Sequence, residues 1–318
     1  MQSPTADPPW TVERLLTWTR EYFERRGVES PRLCAEILLA NALGCERLRL
    51  FTQYEQTPAP EKLEQFRTAV KSAANGQPIA YIVGRKDFYS LTFDVSPAVL
   101  IPRPETELLV ERTIALVRGG AVAADARLLD LGTGSGCIAI ALAKNLPQLR
   151  VCASDVSADA LEIARKNAAR HALAERIEFR LGDLLQPWNS PSEPTSGPGV
   201  ADGRPAFEII VSNPPYLATD RPQEVATNVR DFEPHLALFG GSDGLSVIRR
   251  LATDARSLLA PTGHMLFEIA AGQAEAARDV LRRAGWESIQ TYKDHLGHER
   301  VLHVRAAAAG EIAPQEAK

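Results

Sequence analysis

Five short apolar segments between residues 127 and 269 constrain the fold of this chain more than any other feature. Each is rich in aliphatic or β-branched residues, and most are followed by a stretch with helical periodicity. Strands alternating with helices are typical of a parallel sheet covered by helices, an α/β fold. Two later segments, 288–293 and 300–305, are predicted to pair as an antiparallel edge. The five predicted strands are 127–132, 150–155, 176–183, 207–213 and 264–269.

The region before this sheet has a different pattern. Residues 1–76 are predicted to form a helical domain, because apolar side chains recur three and four positions apart in segments such as "TVERLLTWTREYFERRG". No catalytic motif occurs there, which suggests a docking role. Residues 77–101 are rich in β-formers around a polar centre, and we expect a hairpin that links the helical domain to the α/β domain.

The α/β domain is predicted to span residues 102–306. Within it, residues 187–205 are dense in proline, glycine and serine, which indicates a mobile surface insertion. The tail, residues 307–318, is predicted to be disordered.

Composition narrows the cellular setting. The four cysteines form no CxxC pair, no apolar run reaches the ~20 residues of a membrane span, and the N-terminus is not typical of a secretion signal. We therefore expect a cytoplasmic protein with reduced core thiols and without membrane contact. The net charge of −4 lacks the basic excess of proteins that grip nucleic acid, so no direct nucleic-acid binding is expected.

The segment "LLDLGTGSGCIAIALA" is a strand, a glycine turn and a helix. Glycines at 132, 134 and 136 let the backbone approach a ligand at a helix N-terminus. The dinucleotide fingerprint GxGxxG would place its third glycine at position 137, which is Cys137. No lysine or arginine that could grip a phosphate accompanies the turn. These observations favour S-adenosylmethionine over NAD.

Two carboxylates extend this candidate site. Asp155 ends the second strand of the sheet and is placed to accept both hydroxyls of a ribose, although a helix N-cap is the alternative and Ser157 is the better cap. Asp183 ends the third strand, where its side chain is placed to accept from an adenine amino group. Ligands of open α/β sheets bind at the carboxyl ends of strands, so the series predicts an adenosine site.

The fourth strand runs into Asn213-Pro214-Pro215-Tyr216, a rigid corner with few donors. The Asn213 side-chain carbonyl and the Pro214 backbone carbonyl are two fixed acceptors that can hold both protons of a planar –NH₂ group, while Tyr216 covers its flat face. Held this way, the nitrogen can point its lone pair at a methyl donor, and no metal is required. A glutamine amide and an adenine amine both fit, so the corner leaves an amide and a nucleobase substrate open.

Several stretches together resemble one family. They are "GQPIAYIVGRKDFYSLTFDV", "LIPRPETELLVE", "LDLGTGSGCIAIALA", "VSNPPY", "VRDFEPHLALFGGSDGL" and "EIAAGQ". This combination is similar to the PrmC/HemK family of peptide chain release factor glutamine-N5 methyltransferases, over roughly residues 30–305. The resemblance implies a class I S-adenosylmethionine-dependent methyltransferase domain, with a seven-stranded, mostly parallel sheet, behind an N-terminal helical bundle that helps to bind the release factor. The implied substrate is the glutamine of a Gly-Gly-Gln (GGQ) loop.

The resemblance also assigns roles to residues. The corner of Asn213, Pro214, Pro215 and Tyr216 corresponds to the glutamine site, and Asn213 also borders the cofactor. Arg103, in "IPRPETE", either borders the active site or belongs only to a helix entry. The implied cofactor residues are Gly132, Thr133, Gly134, Ser135, Gly136, Asp155, Asp183 and Leu184, the last being aromatic in many relatives.

The expected partners are class I release factors, bound by a monomer. The main alternative function is N6-adenine methylation of DNA or RNA, which the acidic charge balance and the lack of a basic recognition domain disfavour. A catalytically inactive S-adenosylmethionine-binding scaffold is a further alternative, and the intact NPPY corner argues against it.

Overall fold

The computed structural model describes residues 9–189 and 206–306 of the 318-residue chain. Internal contacts divide these residues into two units. One contains the described residues up to Arg85 together with Thr227–Phe232, and the other contains Lys86–Ala226 and the chain from Glu233 onward.

The first unit is helical, as the sequence pattern predicts. Its helices pack around a core that includes Phe23, Leu38 and Phe66, each at most 2% exposed. Gly27 and Gly44 end the first two helices in the left-handed conformation, with φ of 70° and 71°. The helices are α1 (Val12–Arg26), α2 (Pro31–Leu43), α3 (Pro60–Ala74), α4 (Ile79–Val83) and α8 (Thr227–Phe232), with a 3₁₀ segment at Arg47–Thr52.

The predicted linking hairpin is shorter than expected. Its first part is the helix α4, because Pro78 begins a helical turn, Tyr81 is buried, and Gly84 stops the turn at φ 74°. The hairpin itself consists of β1 (Arg85–Phe88) and β2 (Leu91–Asp94). Tyr89 and Ser90 form its two-residue turn at positive φ, 49° and 59°.

The second unit contains the predicted sheet. Its seven strands lie in the order β5-β4-β3-β6-β7-β9-β8, with β9 antiparallel to both of its neighbours and the other pairs parallel. The predicted fold class and the antiparallel edge are confirmed. The strands are β3 (Arg127–Leu131), β4 (Arg150–Asp155), β5 (Ile177–Leu181), β6 (Phe207–Ser212), β7 (Leu259–Glu268), β8 (Ser288–Lys293) and β9 (Glu299–Arg305). The helices are α5 (Glu107–Arg118), α6 (Cys137–Asn145), α7 (Ala158–Arg170), α9 (His235–Leu238), α10 (Ser246–Asp254) and α11 (Ala274–Arg283).

The strand register brings three strand ends to one level. Leu131 of β3 pairs with Ser212 of β6, and Ser212 pairs with Phe267 of β7. The Ser212 hydroxyl also donates to the Leu131 carbonyl at 2.8 Å. Strand order reverses at β3, with β4 on one side and β6 on the other, and such a switch point opens a crevice at the carboxyl ends of the strands.

The predicted mobile insertion, residues 187–205, starts too early. Trp188 lies in a 3₁₀ turn and is fully buried, since its ring packs edge-on against Phe207 at 5.6 Å between centroids. The Arg180 guanidinium covers the same indole at 4.2 Å. The proline-rich segment therefore begins with a packed turn at Gln186–Trp188 and not with a surface loop. Residues 190–205 and 307–318 lie outside the described residues.

Two further expectations concern the cysteines and the membrane. Cys137 and Cys152 are buried, and burial raises the pKa of their thiols to about 12 and about 11. Cys34 and Cys45 are half-buried, and none of the four is in a disulfide. In residues 9–189 and 206–306, no helix has both the length and the apolar character that crossing a bilayer requires.

Candidate active site

The predicted site residues meet in a cleft of about 250 Å³ at the carboxyl ends of the strands. Gly132, Asp155, Asp183 and Asn213 all line it, as do most of the other predicted residues. The further predicted residues in its walls are Arg103, Thr133, Gly134, Ser135, Leu184 and Pro215. Gly136, Pro214 and Tyr216 do not line the cleft but lie next to these residues in the chain.

The glycine turn leaves room on its ligand side. Gly132 and Gly134 adopt φ of 71° and 54°, and a Cβ built on either would have no heavy atom within 4 Å. Gly136, at φ 81°, differs, because its Cβ would lie 3.0 Å from Ile140 and 3.2 Å from Ala164. The first two glycines therefore keep space open, whereas the third lets α6 pack closely against α7.

Asp130, the last but one residue of β3, holds the glycine turn in place through hydrogen bonds to its side chain. One oxygen of this fully buried carboxylate accepts from the Thr133 hydroxyl at 2.7 Å and from the Ala139 backbone N–H at 3.2 Å. Burial raises the pKa of Asp130 to about 7 despite these two bonds. A single side chain thus ties the strand to both the turn and the first turn of α6.

Asp155 bridges two loops of the site. Its Oδ2 accepts from the Gly134 N–H at 2.8 Å, and its Oδ1 accepts from the Ser157 N–H at 2.9 Å. An ionised carboxylate has about four acceptor positions, so capacity remains for ligand hydroxyls. Burial raises the pKa of Asp155, and the backbone donors oppose that shift. The predicted cap of α7 is confirmed, since the Ser157 hydroxyl accepts from Ala160 at 3.2 Å.

Asp183 and Leu184, the two residues predicted to contact adenine, differ in their surroundings. Asp183 Oδ2 accepts from Arg250 at 2.7 Å, and both side chains are substantially exposed in the cleft wall. Leu184 stands at a positive φ of 49°, held by a bond from the Ser154 hydroxyl to its carbonyl at 3.2 Å. Its side chain packs against the apolar core on one side.

The NPPY corner is connected to a buried carboxylate. Asn213 Nδ2 donates to the Thr106 hydroxyl at 3.0 Å, and that hydroxyl donates to Glu268 Oε2 at 2.6 Å. The Tyr216 hydroxyl donates to the other oxygen, Glu268 Oε1, at 3.1 Å. Burial raises the pKa of Glu268 to about 7, and burial beside this carboxylate also raises the pKa of Tyr216.

Arg103 borders the cleft, as one of its two interpretations predicts. Its guanidinium bonds the carboxylate of Glu233, a side chain that is only 1% exposed. The second oxygen of Glu233 accepts from the Ile101 N–H at 3.1 Å. Arg103 is therefore held at the cleft wall by a buried carboxylate that also binds the backbone two residues before it, at Ile101.

The chain is similar to known protein families and to individual proteins. Two family models match it, the PrmC N-terminal domain over residues 14–84 and the methyltransferase small domain over residues 106–231. A release factor glutamine methyltransferase of Rhodopirellula baltica is 40% identical over 309 residues, which cover 96% of this chain and 100% of the relative. The chain belongs to the release factor glutamine methyltransferase family. Another member, from Koribacter versatilis, is 40% identical over 92% of this chain and 97% of its own.

Membership in the release factor glutamine methyltransferase family confirms the resemblance seen in the sequence motifs, and it does not favour the nucleic-acid alternative. Among solved structures, the catalytic domain of hMettl16, crystallised with an RNA hairpin, has a TM-score of 0.50. It is 16% identical, over 77% of this chain and 81% of its own. At that identity the likeness shows the fold alone, a methyltransferase α/β sheet.

Sequence reasoning missed three polar residues of this family member's site. Asp130, Thr106 and Glu268 were absent from the predicted set, yet each is buried and bonded to a predicted residue or to its loop. For Glu268 a signal existed, because it is the last but one residue of a predicted strand, and in the structure it ends β7 as Asp155 ends β4. For Thr106 there was none, since "PRPETE" also fits an ordinary helix entry.

Proposed function

We propose that this chain transfers a methyl group from S-adenosylmethionine to the side-chain amide nitrogen of the glutamine in the GGQ motif of class I peptide chain release factors. One observation carries the proposal. In a member of this family, the Asn213 corner and the glycine turn follow paired residues of adjacent strands and line one cleft. A methyl donor and an amide can therefore meet there.

The residues present fit S-adenosylmethionine. Gly132 and Gly134 leave unfilled space on the ligand side of the turn, and Asp155 presents a carboxylate already oriented by two backbone donors. In this proposal the turn from Gly132 to Gly136 holds the methionine end, Asp155 the ribose, and Asp183 with Leu184 the adenine. When bound, the group supplies an electrophilic methyl carbon on a sulfonium sulfur.

The corner supplies the orientation that an amide needs. An amide nitrogen is a weak nucleophile because its lone pair is delocalised into the carbonyl. Asn213 Oδ1 and the Pro214 carbonyl accept its two protons and turn the lone pair toward the methyl carbon. Bound S-adenosylmethionine would supply the methyl carbon, which would bond to the amide nitrogen as its bond to sulfur breaks, with the electron pair going to sulfur and the displaced amide proton to solvent. Preorganised acceptors also stabilise the positive charge that develops on nitrogen. Arg103 and Tyr216 border the bound glutamine in this proposal.

The helical unit is proposed to dock the release factor. It contributes no residue to the cleft lining, and within the described chain its helices carry exposed apolar side chains such as Leu48, 73% exposed, and Trp18, 44% exposed. We propose that the enzyme works as a monomer on a whole folded release factor.

The test locates the transferred methyl. Purified protein is incubated with labelled S-adenosylmethionine and either a class I release factor or duplex DNA, and the product is digested and analysed by mass spectrometry. The proposal expects label on the GGQ glutamine, none on DNA, and none on a release factor whose glutamine is replaced by glutamate. Label on DNA alone, or on the glutamate variant, would overturn it.

A further inference from the structure

The side-chain amide of Asn213 has two ends, and only one of them suits the proposed reaction. Oδ1 can accept a proton of the substrate amide, whereas Nδ2 can only donate and would face another donor. An amide that rotates by 180° about its terminal bond exchanges the two ends at little steric cost. A fixed orientation therefore needs a partner that distinguishes oxygen from nitrogen.

Thr106 is that partner. Its hydroxyl has one proton, and that proton is committed to Glu268 Oε2 at 2.6 Å. Toward Asn213 the hydroxyl can then only accept, and it accepts from Nδ2 at 3.0 Å. The bond fixes Nδ2 on the Thr106 side and leaves Oδ1 for the substrate.

Glu268 sets the direction of this chain of hydrogen bonds. Thr106 and Glu268 are each 1% exposed, so water does not compete for the hydroxyl proton. The second oxygen of Glu268 accepts from the Tyr216 hydroxyl at 3.1 Å, which holds the carboxylate in place and connects both ends of the NPPY corner. Burial is the largest influence on Glu268 and raises its pKa. The hydrogen bonds from the Thr106 and Tyr216 hydroxyls oppose burial and favour the ionised, accepting form. The nearby cation Arg300 favours that form as well, whereas Glu105 opposes it.

We propose that Glu268 and Thr106 are positioning residues that lock the Asn213 amide with its oxygen toward the substrate. This inference rests on the proposed function and deepens it. Neither residue has to touch the substrate or the methyl donor. Their part is to exclude the rotated amide, in which a donor would face the protons of the glutamine amide.

The first test removes the hydroxyl. Thr106→Val keeps the shape of the side chain but cannot accept from Asn213, whereas Thr106→Ser keeps the hydroxyl. A matched control is Thr113→Val on α5, which deletes an equally buried hydroxyl whose partner among the described residues is the Leu109 carbonyl of its own helix. Turnover of the release factor, KM for it, cofactor affinity and unfolding are measured for all three.

The expected result is a loss confined to turnover. In Thr106→Val, kcat falls about 10- to 100-fold, the range that misplacing a reacting group produces, while cofactor affinity stays within about twofold. Thr106→Ser and Thr113→Val keep kcat near that of the wild type. Equal kcat in Thr106→Val and wild type, or equal loss in the valine and serine variants, would overturn the proposal.

Glu268→Met is the second variant, which decides the matter if Thr106→Val does not fold. Methionine has a similar length and leaves no charge in the core, but the Thr106 and Tyr216 hydroxyls lose their acceptor, so unfolding is measured for this variant as well. With its acceptor gone, the Thr106 hydroxyl is free to donate to Asn213 Oδ1, so kcat should fall about 10- to 100-fold, and Glu268→Gln should lose less. Wild-type kcat in a folded Glu268→Met overturns the proposal. If the wild type itself methylates no release factor, the proposed function fails instead.

Discussion

The backbone N–H of Gly134 donates to the carboxylate of Asp155 at 2.8 Å, so the glycine turn and the end of the next strand are one hydrogen-bonded unit. The residues are 21 positions apart in sequence. Ser157 binds the other oxygen, which fixes the plane of the carboxylate before any ligand arrives.

This unit makes Asp155 the sharpest test of cofactor binding. Asp155→Ala should raise the Kd for S-adenosylhomocysteine about 10- to 100-fold, since hydrogen bonds to a charged group contribute about 1.5–3 kcal/mol. Calorimetry measures it, with Asp159→Ala as the control because that exposed residue, in the first turn of α7, carries the same charge. An unchanged Kd in Asp155→Ala, or tighter binding of NAD than of S-adenosylhomocysteine, would contradict the assignment.

Asn213 is the test of the reacting corner. Asn213→Ala should lower kcat about 10²–10³-fold, the usual effect of deleting one preorganised polar contact at a reacting group. Asn213→Asp keeps an acceptor oxygen and should retain more activity than the alanine variant. Both are compared by turnover of release factor, with cofactor affinity measured alongside. Wild-type turnover in Asn213→Ala would mean that the corner is only architectural.

Alanine substitutions at two glycines of the turn should have different effects, one mainly on folding stability and the other mainly on cofactor binding. Gly132→Ala and Gly136→Ala both impose a positive φ on alanine, a cost of roughly 1–2 kcal/mol. Only at position 136 would the new methyl also press on Ile140 and Ala164, so Gly136→Ala should lower the unfolding free energy further. Gly132→Ala should instead weaken cofactor binding, because its methyl enters open space in the cleft wall. Denaturant unfolding and calorimetry on both variants check this, and the reverse ranking would contradict it.

Asp130 should give the fold a measurable pH dependence. Its pKa is about 7 in the folded protein against an ordinary value of 3.8, so the folded state holds a proton that the unfolded state releases. Its contribution to stability is therefore complete below pH 3.8 and is lost as the pH rises to about 7. Between these values wild type should lose up to about 1.4 kcal/mol per pH unit relative to Asp130→Asn.

Urea unfolding between pH 4 and 8 measures that difference for Asp130. The pKa of Glu268 is also raised, so its titration makes stability fall over the same pH range. The contribution of Asp130 is therefore measured as the difference in unfolding free energy between wild type and Asp130→Asn at each pH. Asp159→Asn, an exposed substitution, serves as the control and should run parallel to wild type. Parallel curves for Asp130→Asn and wild type would show that the buried carboxyl does not titrate in this range.

Removal of residues 1–76 tests the docking role of the helical unit. The truncated protein should keep its cofactor affinity but turn over whole release factor poorly, whereas a short GGQ peptide should be methylated equally by both forms. Phe232 lies against Gly76 and would lose that contact, so Phe232→Ser in the truncated protein limits exposure of its ring. Equal turnover of whole release factor by both forms would count against docking.

Much of this fold could be predicted because its strands are short apolar runs and the segments between most of them have helical periodicity. The positions at the ends of those predicted strands, Gly132, Asp155 and Asn213, follow from the rule that ligands lie at carboxyl strand ends. Thr106 could not be found that way, since its partner Glu268 is 162 residues away and no local pattern reports on a tertiary contact. The packed turn at Trp188 was missed for the same reason, because its partners Phe207 and Arg180 are supplied by two strands.

The common level of Leu131, Ser212 and Phe267 has a consequence for how such a chain can change over generations. Substitutions after these residues alter chemistry while leaving the sheet intact. A single inserted or deleted residue within β6 is different, because it shifts Asn213 by about 3.3 Å and turns every later side chain to the opposite face. A single insertion or deletion would then disrupt both the packing of the core and the position of the NPPY corner. In β6, a change of chain length would therefore be as damaging as the loss of a catalytic side chain.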